Sequence, residues 1–254
     1  MANEHPAAVN TIEEALSCLN VTSSTLSSDE KRDLDERGYL VLPEIIDAAW
    51  LKQLRAAFEQ VGKQQGQTTG SQKSGTRQLK NLVNEGEVFK RIYTHPKLLA
   101  VAHRILEGPF SLFLLTGRDP LPGYGQQGLH ADWVPRVAQK PYHIVTAICL
   151  LDDFTPENGA TRLVPGTHRL PGQPPKAMAD PAGRHPQQII ITARAGSVLI
   201  INGHLWHSGT RNNSKDFRRV LQCQFVRREG LRPDHLQYNS IEKFEPAVRF
   251  ILGV

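Results

Sequence analysis

The sequence predicts a mainly β fold, a sandwich or a barrel, with flanking α-helices from the N-terminal third of the chain. Apolar residues recur at helical spacing up to about residue 107. From Phe110 onward the pattern changes to short apolar runs separated by Gly- and Pro-containing turns. The last run, 218–226, alternates a polar face with an apolar one, as expected of a barrel strand that lines a wet cavity.

The helices of the N-terminal third are predicted from their first residues. Residues 1–27 contain few large apolar side chains, which predicts a partly ordered tail with one short helix. Ser28 precedes two acidic residues and predicts the start of the next helix. The segment GYLVLPEII then predicts a strand, Asp47 the cap of a helix, and Pro96 the first turn of another. We expect residues 28–254 to form a single domain.

A polar segment, 60–84, separates these last two helices. It contains no acidic residue and several basic ones, which are Lys63, Lys73, Arg77 and Lys80. Because such a composition cannot bury a core, we expect a mobile loop. It is either an inert solvated loop or a lid that orders over an anionic ligand. A second long connection, 169–186, has the same two interpretations.

Short apolar runs supply the predicted strands of the barrel. They lie at 112–115, 144–151, 189–193, 197–201 and 218–226. Within the last run, one face is predicted to carry Arg218, Val220, Gln222 and Gln224, and the other Arg219, Leu221, Cys223 and Phe225. We expect the barrel to span about 108–228.

Composition and charge narrow the function classes. The chain has 254 residues and a net charge of +5, but only 7% are aromatic, so an anionic small molecule is favoured over nucleic acid. The longest apolar stretch, within 144–151, has about 8 residues against the roughly 20 that cross a bilayer, so no membrane span is expected. Cys18, Cys149 and Cys223 form no CxxC pair, and no signal-peptide pattern opens the sequence. We therefore expect a reducing, cytoplasmic location.

One glycine-rich segment matches a nucleotide-binding pattern but lacks its context. Gly123 to Gly128 reads GxGxxG, which holds a pyrophosphate where it joins a strand to a helix. Here the strand-like LHADW follows, and no acidic residue stands about 20 positions on. We therefore predict a glycine-rich turn.

The strongest candidate site is a metal centre. His130 and Asp132 are two residues apart in an extended segment, so their imidazole and carboxylate point the same way. The later segment GHLWH, 203–207, offers His204 or His207. These two have opposite parity in an extended chain, so only one is expected to point inward. Two histidines and one carboxylate occupy one face of an octahedral iron site and leave three positions open.

Three segments together resemble the phytanoyl-CoA dioxygenase family of Fe(II)- and 2-oxoglutarate-dependent oxygenases. They are His130-x-Asp132, the segment ENGATRLVPGTH at 157–168, and GHLWHSG at 203–209 with Arg218 downstream. The likeness extends from about Asp29 to Arg228. It implies that the core is a double-stranded β-helix, the jelly roll also found in cupins.

The resemblance also implies roles for individual residues. Those that match the family's iron ligands are His130, Asp132 and His207. This match leaves His204 as a turn residue or as one that supports the ligands from behind. Arg218 matches the basic residue that pairs with the distal carboxylate of 2-oxoglutarate, a role that suits a planar guanidinium. Thr161 and Gln127 resemble further 2-oxoglutarate contacts.

The implied reaction is hydroxylation of an unactivated C–H bond, using Fe(II), 2-oxoglutarate and O2 and releasing succinate and CO2. Related halogenases have a small residue in place of the carboxylate ligand, so the intact Asp132 favours hydroxylation. The expected substrate is a small organic molecule such as an acyl-CoA, a carboxylate or a secondary metabolite. Its candidate contacts flank the metal strands or face the cavity, and they are Trp133, Tyr142, Arg118 and Gln222.

The alternative is a cupin-like metal-binding barrel with non-oxidative chemistry or a ligand-binding role. The feature that separates the two is Arg218 beside a complete set of metal ligands. A binding module has no need of that pair, so the sequence favours the oxygenase.

Overall fold

Short antiparallel strands form the centre of the protein in a computed structural model, which describes residues 9–67, 75–133, 140–230 and 238–254. The strands are β1 (Tyr39–Leu42), β2 (Thr76–Leu79), β3 (Phe110–Pro120), β4 (Ile144–Leu150), β5 (Thr161–Leu163), β6 (Ile189–Ile190), β7 (Val198–Asn202), β8 (His207–Gly209) and β9 (Val220–Arg227). The α-helices are α1 (Ile12–Cys18), α2 (Ser28–Arg37), α3 (Ala48–Gln64), α4 (Glu87–Tyr93), α5 (Pro96–Leu106) and α6 (Pro246–Leu252).

The strands are arranged in two sheets. The larger sheet has the order β1-β7-β4-β9-β3-β2, and the smaller has the order β6-β5-β8. Every pairing within them is antiparallel. The predicted fold class, a mainly β jelly roll with flanking helices, is confirmed. The helices differ in one respect, because α6 lies at the C-terminal end and packs on α1.

The helix starts follow the capping chemistry expected of them, with one shift. Ser27, and not Ser28, caps α2, because its hydroxyl accepts from the backbone N–H of Glu30 while the Glu30 carboxylate accepts from the backbone N–H of Ser27. Asp47 caps α3, and Pro96 opens α5, as predicted. Within the described parts of the chain, no helix is long and apolar enough to cross a membrane.

The main apolar core lies between the helices and one face of the larger sheet. Leu54 and Phe58 of α3 belong to the same buried cluster as Leu221, Cys223 and Phe225 of β9. The alternate residues of β9 turn away from this core and line the cavity described below. The predicted two faces of this strand are therefore present.

Residues 9–27, which we expected to belong to a partly ordered tail, pack on the rest of the protein. Ile12, Ala15 and Leu16 of α1 are buried in the main core cluster. A capping box between Thr11 and Glu14 fixes the start of this helix. The apolar positions are few, but they fall on one face, and α5 and α6 cover that face.

The loop predicted over 60–84 is wrong for the residues that the structure describes there. α3 continues to Gln64, and β2 pairs with β3 at the edge of the larger sheet. Arg77 is buried and ion-paired with Asp119 and Glu59, so it is not available to an anionic ligand. The composition was misleading because partners on other elements neutralise the buried Arg77. The proposed lid tip, 68–74, falls outside the described residues.

Candidate metal and cosubstrate site

Pairing between two distant segments brings three metal-ligand side chains together. The backbone N–H of His130 donates to the carbonyl of His207 at 3.0 Å, and that of His207 donates back at 2.9 Å. The N–H of Asp132 donates to the carbonyl of Gly203 at 2.7 Å, which continues the pairing. One ligand atom from each of His130, Asp132 and His207 lies within 4.8 Å of the other two. The spacing of two residues therefore places the first pair on one face, as the sequence indicated.

Hydrogen bonds from the far side of each ring orient both imidazoles. Nδ1 of His130 donates to the Gly128 carbonyl at 3.0 Å, and Nδ1 of His207 donates to the Leu205 carbonyl at 2.8 Å. Because a carbonyl only accepts, both Nδ1 atoms carry a proton, so Nε2 is the atom of each ring that is left for a metal. These Nε2 atoms lie 3.7 Å and 3.4 Å from Oδ1 of Asp132. Two imidazole nitrogens and one carboxylate oxygen therefore converge on one point.

The two oxygens of the Asp132 carboxylate have different partners. Its Oδ2 accepts hydrogen bonds from the Thr146 hydroxyl at 2.6 Å and from the Gln224 amide at 3.2 Å. This leaves Oδ1 directed at the two histidines. Burial opposes ionisation of Asp132, but the attraction and hydrogen bond of His207, together with the hydrogen bond from Thr146, outweigh it and lower the pKa of Asp132 to about 2. The carboxylate is therefore ionised, as a ligand to a divalent cation must be.

The structure separates the roles of the two later histidines. The Nε2 of His204 accepts a hydrogen bond from the backbone N–H of His143 at 3.0 Å. Its own backbone N–H donates to the side chain of Asn202 at 3.1 Å. His204 therefore supports a turn, while His207 alone of the two faces His130 and Asp132.

A cavity of about 100 Å³ accessible to water opens beside the three ligand atoms. The sequence-predicted site residues that line it, besides the three metal ligands, are Gln127, Thr161, Arg118, Arg218 and Gln222. Trp133 and Tyr142 are not among its lining residues. The ring of Trp133 stacks on His143 with ring centres 5.3 Å apart, and Tyr142 packs near His204 at 5.6 Å.

Arg218 is a buried cation at one end of this cavity. Its backbone N–H donates to Oδ1 of Asp119 at 3.1 Å, and its guanidinium lies 5.3 Å from the ring centre of Phe154. Its Nε is buried and has no hydrogen-bond partner among the described residues. Burial, together with the nearby Arg118, lowers its pKa to about 10. A buried donor without a partner is costly, so this guanidinium is suited to an anion that enters the cavity.

Gln127 and Thr161 flank Arg218 because both lie against β8. Thr161 pairs with Gly209, and the backbone N–H of Gln127 donates to the Gly209 carbonyl at 3.0 Å. A Cβ at Gly209 would stand 3.5 Å from both Arg218 Nη2 and Gln127 Oε1, and 2.8 Å from the carbonyl of Gly125. Glycine at this position therefore leaves open the space beside the guanidinium.

Several functional side chains were missed from the sequence. Thr146 and Gln224, which hold Asp132, carry a weak signal, because Thr146 interrupts an apolar run and Gln224 lies on the polar face of β9. Arg162 carries no local signal. Its guanidinium donates to the carbonyl of Gln127 at 3.0 Å and to the hydroxyl of Ser208 at 2.7 Å.

Arg162 also fixes the long connection 169–186 over the metal strand. It donates to the carbonyl oxygens of Pro181 and Gly183. The backbone N–H of Leu129 donates to the carbonyl of Met178 at 2.8 Å. The connection therefore packs directly on the strand that carries His130.

Several relatives of this chain are named as dioxygenases. Dioxygenase trt7 of Aspergillus terreus is 28% identical over 193 residues, which are 70% of this chain and 65% of that protein. Dioxygenase andF of Emericella variicolor is 27% identical over 255 residues, 92% and 86% of the two chains. The Fe(II)/2-oxoglutarate-dependent dioxygenase nvfF of Aspergillus novofumigatus is 25% identical over 194 residues, 70% of this chain and 61% of that protein. The chain thus spans just under two thirds of the length of trt7 and of nvfF.

The same fold occurs in solved structures of low sequence identity. HygX of Streptomyces hygroscopicus, solved with nickel and 2-oxoglutarate bound, superposes with a TM-score of 0.66 at 20% identity, over 80% of this chain and 88% of its own. The carbocyclase SnoK from nogalamycin biosynthesis gives a TM-score of 0.66 at 19% identity, over 92% of this chain and 98% of its own. These two likenesses establish the fold.

The family itself is established by sequence. The model of the phytanoyl-CoA dioxygenase (PhyH) family matches residues 34–220, which is well over half of the chain. The expected enzyme class, an Fe(II)- and 2-oxoglutarate-dependent dioxygenase, is confirmed by this match and by the named relatives. This protein belongs to the phytanoyl-CoA dioxygenase family.

Proposed function

We propose that this protein hydroxylates an unactivated C–H bond of a small organic molecule, with release of succinate and CO2 from 2-oxoglutarate. The observation that carries the proposal is the convergence of His130, Asp132 and His207 beside the buried and unpartnered Nε of Arg218. A metal-ligand set alone would serve many barrels. A buried guanidinium beside that set, whose Nε has no hydrogen-bond partner among the described residues, indicates a second, anionic ligand.

The donor set fits iron(II). Two imidazole nitrogens and one carboxylate oxygen suit this ion and leave coordination positions open for other ligands. When bound, iron supplies the activation of O2 that couples decarboxylation of the keto acid to substrate oxidation. Thr146 and Gln224 keep Oδ2 of Asp132 engaged, so one carboxylate oxygen is presented to the metal.

Arg218 binds the distal carboxylate of 2-oxoglutarate, and Thr161 and Gln127 contact the same cosubstrate. The charges of iron(II), Asp132, 2-oxoglutarate and Arg218 cancel, so the loaded site is neutral within a cavity of low dielectric. Arg162 and the connection 169–186 cover the strand of His130 and limit the access of water to this side.

The substrate is a small molecule that Arg118 and Gln222 reach from the wall of the cavity. Precedent within the fold is HygX, which has been solved with hygromycin B bound. We infer that the reaction takes place in the cytoplasm. In support, Cys18, Cys149 and Cys223 are all free thiols, and the last two are buried.

Anaerobic titration of the metal-free protein with iron(II) and then 2-oxoglutarate tests the proposal. Chelation of ferrous iron by the keto acid gives a weak visible charge-transfer band, which we expect in the wild type. His207→Gln should abolish the band, because an amide is a poorer iron ligand than imidazole. His204→Gln is the matched control and should retain it, because the Gln oxygen can still accept from the N–H of His143.

Two outcomes would contradict the proposal. Absence of the band in the wild type, with or without bound iron, would favour a metal-binding barrel without oxygenase chemistry. Loss of the band in His204→Gln with its retention in His207→Gln would show that the metal is held elsewhere.

A further inference from the structure

The cavity contains a second guanidinium that the metal and 2-oxoglutarate do not require. Arg118 lies on β3, where it is paired with Val220 of β9 on one side and with Gln78 of β2 on the other. Its side chain lines the cavity together with Gln222. Arg118 makes no hydrogen bond or ion pair with any residue in the part of the chain that the structure describes. It is partly buried, and this burial lowers its pKa.

The positive charge of Arg118 exceeds what the metal and 2-oxoglutarate require. Iron(II), Asp132, 2-oxoglutarate and Arg218 together are neutral, so Arg118 leaves one positive charge in a partly buried space. Burial of a charge without a partner is unfavourable, and a carboxylate pairs with a guanidinium through two parallel hydrogen bonds. Asp132 attracts Arg118 and opposes the effect of burial on its pKa, but the charge of that carboxylate is already counted with the metal. The closest buried arginine in sequence, Arg77, has Asp119 and Glu59 as its own partners.

The position of Arg118 relative to the metal ligands determines how far a molecule held by Arg118 must extend to approach the metal. Gln224 contacts Asp132, and Val220, the strand partner of Arg118, lies four residues earlier on β9. Four residues of strand measure about 13 Å along the backbone, but the long Arg118 side chain brings its guanidinium close enough to Asp132 for that carboxylate to raise its pKa. A molecule whose anion is held by Arg118 can therefore extend along β9, past Gln222, toward the open side of the metal ligands.

We propose that Arg118, with Gln222 beside it, forms an anion subsite that binds a carboxylate of the primary substrate, so that the substrate is an organic acid. This inference rests on the proposed function. The same chemistry could be supplied by the 1-carboxylate of 2-oxoglutarate, so the experiment has one arm for each source.

The first arm measures a simple carboxylate. Protein loaded with Mn(II) and saturating 2-oxoglutarate is titrated with ¹³C-labelled acetate, and the paramagnetic relaxation of the acetate carbon is followed. We expect a saturable enhancement in the wild type and at least tenfold weaker binding in Arg118→Gln. Arg118→Lys should lose about threefold, because it keeps the charge but not the planar fork. Arg194→Gln, which removes the same charge from an exposed position, should match the wild type.

The second arm measures 2-oxoglutarate itself with the same variants. We expect the affinity of Arg118→Gln for 2-oxoglutarate to stay within threefold of the wild-type value, while Arg218→Gln loses far more. Equal loss in the two variants would assign the anion to the 1-carboxylate of 2-oxoglutarate and overturn the subsite. Acetate relaxation that does not saturate in the wild type, or that is unchanged in Arg118→Gln, would also overturn it.

The experiment distinguishes failure of the proposed function from failure of the anion subsite. If the wild type does not bind 2-oxoglutarate, that function is wrong. The acetate titration can then be repeated with Mn(II) alone. It still shows whether Arg118→Gln binds acetate more weakly than the wild type. Unchanged Mn(II) affinity in each variant verifies that the variants are folded.

Discussion

Replacement of Arg218 by Gln is expected to weaken binding of 2-oxoglutarate while leaving the iron site intact. The side chain is 7% exposed, and it makes no hydrogen bond to His130, Asp132 or His207. In the variant, the distal carboxylate of the bound cosubstrate would be buried without its cation. Removal of one partner from a buried ion pair costs roughly 3–5 kcal/mol.

That cost corresponds to roughly a 10²- to 10³-fold loss of affinity, since about 1.4 kcal/mol is a factor of ten. The lower end applies here, because Arg118 is close enough to lower the pKa of Arg218 and keeps one positive charge in the cavity. We therefore expect a loss of about 100-fold for Arg218→Gln. Arg218→Lys keeps the charge but not the two parallel hydrogen bonds, and should lose about tenfold.

The assay is anaerobic titration of each variant, first with iron(II) and then with 2-oxoglutarate. The iron dissociation constant should stay within about threefold of the wild-type value, because Arg218 does not hold the ligands. Unchanged affinity for 2-oxoglutarate in Arg218→Gln would refute the role of this residue. A parallel loss of iron and 2-oxoglutarate affinity would show that the substitution disturbs the whole cavity.

The other predictions concern the support of the site and the stability of the fold. Thr146→Val removes the hydroxyl that donates to Asp132 at 2.6 Å, and iron affinity should fall by about tenfold in a competition titration with a chelator. Arg77→Met leaves the buried Asp119 without its cation and should lower the free energy of unfolding by about 3–5 kcal/mol in urea denaturation. Gly38→Ala should cost about 1–3 kcal/mol, because φ is +80° there. Ni(II) at a hundred times its dissociation constant should stabilise the wild type by about 2.7 kcal/mol, and Asp132→Ala should abolish this gain.

Three of these predictions have a control or a contrary outcome, those on Thr146, on Arg77 and on Ni(II). Gln224→Leu, which also removes a donor to Asp132, should act in the same direction as Thr146→Val, and no change in either variant would contradict the role of these contacts. Removing Asp119 together with Arg77 should recover part of the lost stability, because no unpaired charge remains. Wild-type stability in Arg77→Met alone would show that the pair contributes little. A thermal shift with Ni(II) in Asp132→Ala as large as in the wild type would place the metal elsewhere.

The division of the chain into helices and strands is predictable because it depends on neighbouring residues. Apolar spacing identified α3, α5 and the two faces of β9, and Asp47 and Pro96 marked helix starts. The same local logic put His130 and Asp132 on one face. It failed over 60–84, where Arg77 is stabilised by Glu59, 18 residues away, and by Asp119, 42 residues away.

The support of the metal ligands could not be predicted in the same way. Thr146 and Gln224 lie 14 and 92 residues from Asp132, and they meet it only because β4 and β9 pair in one register. A shift of this register by one residue would put the two side chains on opposite faces of the sheet. Their role therefore depends on the pairing and not on the neighbouring sequence.

The sequence by itself determined the family, the mainly β fold and the set of residues from which the site is built, since motif spacing and apolar period are local properties. Only the tertiary structure decided which atoms face the cavity. It turned His204 toward His143 and His207 toward Asp132, although the two histidines are only three residues apart in the sequence. It also placed Arg118 and Arg218 in the wall of the same cavity. The physical reason is that side-chain direction and charge balance depend on the register of strands that are far apart in the chain.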